Sequence, residues 1–81
     1  MSTTSIQFNA ETDQLVVSND LWVVVGRSQK DEVEIFQPTL EKSQTIKINN
    51  KISSIDLTDD HRMLVVGLDG QDVLVYQHDG N

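Results

Sequence analysis

Short apolar stretches, separated by clusters of turn-forming residues, recur along the whole chain. Some stretches place apolar residues at every second position, and others are apolar throughout. No stretch repeats apolar residues at the spacing of an α-helix, so the pattern predicts an all-β fold. The predicted strands are 5–8, 14–17, 21–26, 32–37, 45–49, 53–58, 63–68 and 72–77.

The amino-acid composition favours strands over helices. Ala10 is the only alanine, whereas the chain has 10 Val, 6 Ile and 6 Thr. Branching at Cβ restricts these side chains in a helix and suits the pleated surface of a sheet.

The chain resembles itself at an offset of 40 residues, with a one-residue slip near the middle strand that the next loop reverses. A fixed period near 40 with four strands per unit is typical of β-propeller blades. We therefore predict one all-β unit, 1–81, made of two repeats at about 1–40 and 41–80. The matched pairs include Ile6 with Ile46, Phe8 with Ile48, Leu15 with Ile55, Val17 with Leu57, Val24 with Val65, Gly26 with Gly67, Val33 with Val73 and Phe36 with Tyr76.

Two of the predicted strands, 21–25 and 63–66, are apolar on both faces. A strand of a plain β-sandwich, which is the alternative fold, buries only one face. Blades stacked face to face cover both. The residues expected to be buried from both sides are Trp22, Val24, Leu64, Val66, Val73 and Val75. Gly26, Gly67 and Gly70 are expected where the backbone approaches a neighbour closely or φ is positive.

The second repeat resembles a WD-repeat blade. Residues 63–70 have the second strand and Asp-Gly turn of such a blade, residues 72–76 have its third strand, and 21–36 is similar with a longer loop. The Gly-His pair that opens a WD blade is missing, and Tyr76-Gln77 and Phe36-Gln37 replace its terminal Trp-Asp. The Val-Gly, Asp-Gly and Val-Tyr pattern is also similar to FG-GAP propeller repeats. Both resemblances imply the same general shape.

The repeats begin out of phase with a blade. Residues 5–8 correspond to a fourth strand, and no third strand precedes them. We predict two four-stranded antiparallel β-propeller blades in permuted phase, as part of a larger propeller or oligomeric ring. Residues 5–8 are expected to pair with 72–77 of a neighbouring copy, or with an equivalent strand of another subunit. The expected interface residues are Ile6, Phe8, Val73, Val75 and Tyr76.

The predicted function is a non-catalytic scaffold or protein–protein interaction module, completed by self-assembly or by a partner subunit. The alternative is a ligand-binding or enzymatic propeller whose site forms at the axis only after assembly. The loops next to Gln14 and Ser53 would then line that site.

Residues with chemical potential are few and lie in predicted turns. The segment Asp59-Asp60-His61 matches the turn 18–20, and Asp and Asn favour turns through local hydrogen bonds. Residues 69–72 offer two carboxylates, too few for the roughly six to eight oxygen ligands of calcium. His61 and His78 have no cysteine or third histidine to complete a zinc site. No catalytic residue, cofactor or metal is predicted.

Charge and cysteine content narrow the partners. With 13 acidic and 6 basic residues the net charge is −7, which argues against nucleic acid and against a polybasic membrane anchor. The apolar stretches are too short for a membrane-spanning helix. The absence of cysteine excludes disulfides, and a cytoplasmic location is expected. The expected partners are proteins, either copies of this chain or other subunits.

Overall fold

The computed structural model describes residues 1–70 and 72–77. This part of the chain contains strands and turns but no helix, so the predicted all-β class is confirmed, and nothing in it forms a helix able to cross a membrane. The strands are β1 (Asp13–Val17), β2 (Val23–Arg27), β3 (Glu32–Phe36), β4 (Lys42–Lys47), β5 (Ile52–Leu57), β6 (Met63–Leu68) and β7 (Val73–Gln77).

The strands form two antiparallel sheets. The first sheet has the order β1-β2-β3-β4 and the second has the order β5-β6-β7. In the first sheet Val33 of β3 lies opposite Ile46 of β4. The prediction that the strand of residues 45–49 lies beside the strand of residues 32–37 is therefore confirmed.

The two sheets pack against each other, with β5 against β1 and β2. Successive strand residues point to opposite sides, so each sheet has an inner face toward the other sheet and an outer face away from it. The inner faces supply the main core cluster, which consists of Val24, Val33, Ile35, Ile52, Leu64 and Val66. Two apolar residues of the opposite face of the first sheet, Val25 and Phe36, are also buried.

The outer faces carry the alternate residues of the same strands. The first outer face consists of Leu15, Val17, Val23, Val25 and Phe36 together with charged residues, and the second consists of Met63, Val65, Val73 and Val75. The predicted burial of Val24, Leu64 and Val66 is confirmed, and Trp22 is half-buried. The predicted burial of Val73 and Val75 is wrong for the single chain, because no strand of the described residues packs on this face of the second sheet and the two side chains are 66% and 57% exposed.

Residues 5–8, predicted as a strand, form no strand in the single chain and pair with none of the strands of the described residues. The carbonyl of Gln7 instead accepts a hydrogen bond of 2.6 Å from Nη1 of Arg27, at one end of the first outer face. The second sheet therefore has three strands, and no strand of the described residues pairs with the free edge of β7.

The turns from β1 to β2 and from β5 to β6 have the same hydrogen bonds. The Trp22 N–H donates to Ser18 Oγ, and the Met63 N–H donates to Thr58 Oγ1, each at 3.0 Å. These side-chain acceptors close both turns locally. Trp22 and Met63 therefore hold equivalent positions.

Leu21 and His61 are the second equivalent pair in these turns. Their N–H groups donate to the carbonyls of Ser18 and Thr58 at 3.0 Å, and both residues have positive φ, 69° and 57°. Arg62 is the additional residue of the second turn, and it accounts for the one-residue slip between the repeats.

The three glycine predictions have different outcomes. Gly70 has a φ of +68°, and a Cβ on Gly67 would lie 2.7 Å from Ser54 Oγ, so both positions agree with the expectation. The prediction is wrong for Gly26, where a Cβ would meet Ile55 at 3.6 Å, an ordinary contact distance.

Candidate functional site

The two equivalent turns meet where the sheets pack together. The rings of Trp22 and His61 stack with their centroids 4.4 Å apart and their planes at 14°. The Asn19 N–H donates to the Asp59 carbonyl at 3.0 Å, which joins the turns through the backbone as well. Trp22 thus packs between the sheets, beside a cleft of about 60 Å³ that Ile46 and Tyr76 also line.

Ser18, Asp20 and His61 form a short chain of hydrogen bonds beside this stack. Ser18 Oγ donates to one carboxylate oxygen of Asp20, and the other oxygen lies 2.5 Å from Nδ1 of His61. A hydrolytic triad needs the histidine between the serine and the acid, whereas here the acid lies between them. Ser18 is also buried and accepts the Trp22 N–H, so its hydroxyl serves the turn. The hydrogen bond from Ser18 and the neighbouring His61 lower the pKa of Asp20, so Asp20 is ionised at neutral pH.

A cluster of charged side chains occupies one part of the first outer face. Arg27 binds Glu34 at 2.5 Å and Asp13 at 2.9 Å, and its side chain is only 13% exposed. Lys42 binds the second oxygen of Glu34 at 2.6 Å. With the nearby pair of Lys47 and Glu32, this ion cluster holds three cations and three carboxylates.

Two carboxylates of the ion cluster, Glu34 and Asp13, are ionised at neutral pH. Burial raises the pKa of Glu34, but its hydrogen bonds to Lys42 and Arg27 outweigh this effect and leave the pKa below its usual range. Burial also raises the pKa of Asp13, but hydrogen bonds from the Asn9 backbone and from Arg27 outweigh it and leave the pKa below its usual range. Each carboxylate is therefore neutralised within the cluster.

The segments considered for catalysis or metal binding have structural surroundings. Residues 59–61 form the turn described above, and Gln14 donates to the Ser53 carbonyl at 2.7 Å, which ties β1 to β5 near the predicted axis. Residues 1–70 and 72–77 contain no group of three His, Asp or Glu side chains that could hold a metal ion. Gln71 and His78 lie outside the described residues.

The expected interface residues lie on the two sides of the second sheet and in the N-terminal segment, residues 1–8. Val73 and Val75 lie on the second outer face, whereas Tyr76 packs against the core on the inner face. Phe8 is 40% exposed and Ile6 is half-buried.

Besides Met1 at the N-terminus, the sequence did not predict four exposed apolar residues. Leu15 and Val17 are each 50% exposed, Leu21 is 62% exposed and Met63 is 39% exposed. The repeat alignment identifies two of them as positions that need a covering partner. Leu15 and Val17 match Ile55 and Leu57, which are partly buried and pack against the core.

The chain is therefore an all-β protein of two packed antiparallel sheets with apolar side chains exposed on both outer faces. No family model, curated protein or solved structure matches it.

Proposed function

We propose that this chain is a non-catalytic protein-interaction module made of two propeller blades, whose outer faces bind further blades. The observation that carries the proposal is the position of the exposed apolar residues. Apart from those in the N-terminal segment and Leu21 in a turn, every exposed large apolar side chain of the described residues lies on an outer sheet face. Clusters of this kind on a protein surface are typical of interaction sites.

The repeat relation explains why these faces suit blade stacking. The first outer face is the counterpart of the inner face of the second sheet, since Leu15 and Val17 match Ile55 and Leu57. The second outer face is likewise the counterpart of the inner face of the first sheet, since Val73 matches the fully buried Val33. The outer faces are therefore the counterparts of the two surfaces that the chain buries between its own sheets, and they keep Leu15, Val17, Val73 and Val75 exposed, although Val25 and Phe36 of the first outer face are buried.

The ion cluster is compatible with such packing. Its three cations and three carboxylates carry no net charge together, and the side chains of Arg27 and Glu34 are already 13% and 8% exposed. Covering Arg27 and Glu34 removes little solvent from groups that are already paired, so their desolvation penalty is small. Lys42 and Lys47, whose side chains are 49% and 66% exposed, have to keep their ammonium groups in water at the margin of the contact.

The polar groups near the sheet contact favour a structural role over catalysis. Ser18 bonds to Asp20 rather than to His61, and the Gln14 amide is used to join β1 to β5. These side chains hold the two sheets together, as a scaffold requires.

Sedimentation equilibrium over a wide concentration range tests the proposal. We expect the wild-type chain to exceed its monomer mass of 9.1 kDa at high concentration. Leu15→Asp and Val75→Asp, which place a charge on the two outer faces, should each restore the monomer mass.

Thr39→Asp is the matched control, because it adds the same charge at an exposed turn position and can still accept the hydrogen bond from the Glu41 N–H. It should leave the association unchanged. A folded chain that stays at 9.1 kDa at every attainable concentration would overturn the proposal.

A further inference from the structure

The contact between the two sheets provides a template for a contact between two copies of the chain. Trp22 of the first repeat stacks on His61 of the second. The turn hydrogen bonds make Met63 the counterpart of Trp22, and Leu21 the counterpart of His61. The same contact made one repeat further along would place Met63 of one copy on Leu21 of the next, and both side chains are exposed in the single chain.

Leu21 is held in a conformation that is unfavourable for its residue type. Its φ is 69°, a region that Gly, Asn and Asp adopt more readily than other residues, and its apolar side chain is 62% exposed. Strain together with exposure of an apolar side chain favours a function for this position over a role in folding.

The free edge of β7 has a counterpart in the first sheet that is already paired. Val33 of β3 lies opposite Ile46 of β4, and Ile35 lies opposite Gln44. One repeat further along the same chain, Val73 and Val75 are the counterparts of Val33 and Ile35. The counterparts of Ile46 and Gln44 would then be Ile6 and Thr4 of the next copy.

We propose that a second copy of this chain docks head to tail: its first outer face packs on the second outer face of the first copy, and its residues 4–7 extend β7 with Ile6 opposite Val73. This inference rests on the proposed function and names the partner and the register. The packing of the outer faces and the pairing of residues 4–7 with β7 belong to one interface. Within the chain, β4 also completes the first sheet and then leads into β5 of the next one.

Head-to-tail contacts close a ring when the rotation between copies permits it. Because propellers have roughly four to eight blades, a closed ring would contain about two to four copies of this two-blade chain.

Disulfide trapping tests the register, since the chain has no cysteine of its own. An Ile6→Cys chain is mixed with an isotope-labelled Val73→Cys chain in a redox buffer, and mass spectrometry follows the mixed disulfide. We expect it to form about tenfold faster than the disulfide of Ile6→Cys with Val75→Cys, because a two-residue offset increases the separation of the two residues from ~5 Å to ~7–8 Å, whereas a disulfide needs a Cβ separation of ~4 Å.

Pairing Thr4→Cys with Val75→Cys should restore the fast rate, because these positions are opposite each other in the proposed register. This third pair is the register control, and it distinguishes a defined strand pairing from random collisions of exposed thiols.

A second measurement tests the turn contact. Leu21→Asn removes the apolar side chain and relaxes the positive φ, and we expect self-association to weaken about tenfold. Leu40→Asn is the matched control, because Leu40 also has a positive φ, 68°, in the turn from β3 to β4. It should leave association unchanged.

The outcomes separate this inference from the proposed function. Association that depends on Leu15 and Val75, but shows neither the preferred disulfide nor an effect of Leu21→Asn, would overturn the head-to-tail arrangement and leave the proposed function intact. A chain that does not associate at all would overturn both.

Discussion

The third strands of the two sheets have similar sequences and different surroundings. In β3 every residue is buried, whereas in β7 the side chains of Val73 and Val75 are exposed. β3 has β4 on its open edge and lies in the middle of its sheet, and β7 is the edge strand of its own. The burial of these strands therefore depends on what covers their faces and edges more than on their apolar pattern.

The two sheets also use different chemistry at matching positions. Arg27 and Glu34 of the first outer face correspond to Leu68 and Leu74, which pack against the core in the second sheet. The ion pair occurs where the sheet faces outward, and the apolar pair occurs where it faces the other sheet. Each pair is satisfied by its surroundings in the single chain, the ion pair by Asp13 and Lys42 and the apolar pair by the core.

The most destabilising substitution we expect is aspartate at Val33 of β3, and the comparison is aspartate at the matching Val73 of β7. Val33→Asp buries an unpaired carboxylate at a position with no exposure and should unfold a domain of this size. Val73→Asp should change the free energy of unfolding of the single chain by less than about 1 kcal/mol, because Val73 is 66% exposed. Urea denaturation at low protein concentration measures both. Equal losses at the two positions would contradict the difference in burial.

The next effect concerns the ion cluster that only the first sheet has. Arg27→Met leaves Asp13 without its cation and Glu34 with Lys42 alone, and we expect a loss of about 3 kcal/mol in unfolding free energy. Lys51→Met is the control, since Lys51 is 74% exposed and lies 4.0 Å from Asp69. Its effect should stay below about 0.5 kcal/mol. A negligible effect of Arg27→Met in the same urea titration would show that the cluster does not stabilise the first sheet.

A smaller effect should follow from acidification. The pKa values of Glu34 and Asp13 are lowered in the folded chain, so their contribution to stability is fully present at neutral pH. It should be lost as the pH falls from about 4, the unfolded pKa of such groups, through the lower folded values. Urea midpoints measured across this range should fall more steeply for the wild type than for Arg27→Met. Parallel curves would contradict the assignment.

The smallest effect distinguishes the matching glycines of the two sheets. Gly67→Ala should cost about 1 kcal/mol, because its Cβ would lie 2.7 Å from Ser54 Oγ, and Ser54→Ala should relieve that loss. Gly26→Ala should be tolerated, since its Cβ would meet Ile55 at 3.6 Å. Thermal unfolding of these variants provides the measurement. A loss at Gly26 as large as that at Gly67 would contradict the contact distances.

The all-β class, the approximate strand positions and the pairing of β3 with β4 were predictable from the amino-acid sequence. These follow from local properties: alternation of apolar residues, β-branched side chains and turn residues such as those at 18–20 and 58–60. The alignment of the repeats also indicated which positions correspond. It could not indicate which of two corresponding positions is covered in the single chain.

The packing of the two sheets sets which faces are buried. Val24 and Val73 are both valines in predicted core strands, yet one is fully buried and the other is two-thirds exposed. The stack of Trp22 on His61 and the pairing of Arg27 with Asp13 and Glu34 were also absent from the sequence pattern. Each joins residues from different strands or turns, and such contacts depend on how the sheets pack, which the local pattern of residues does not specify.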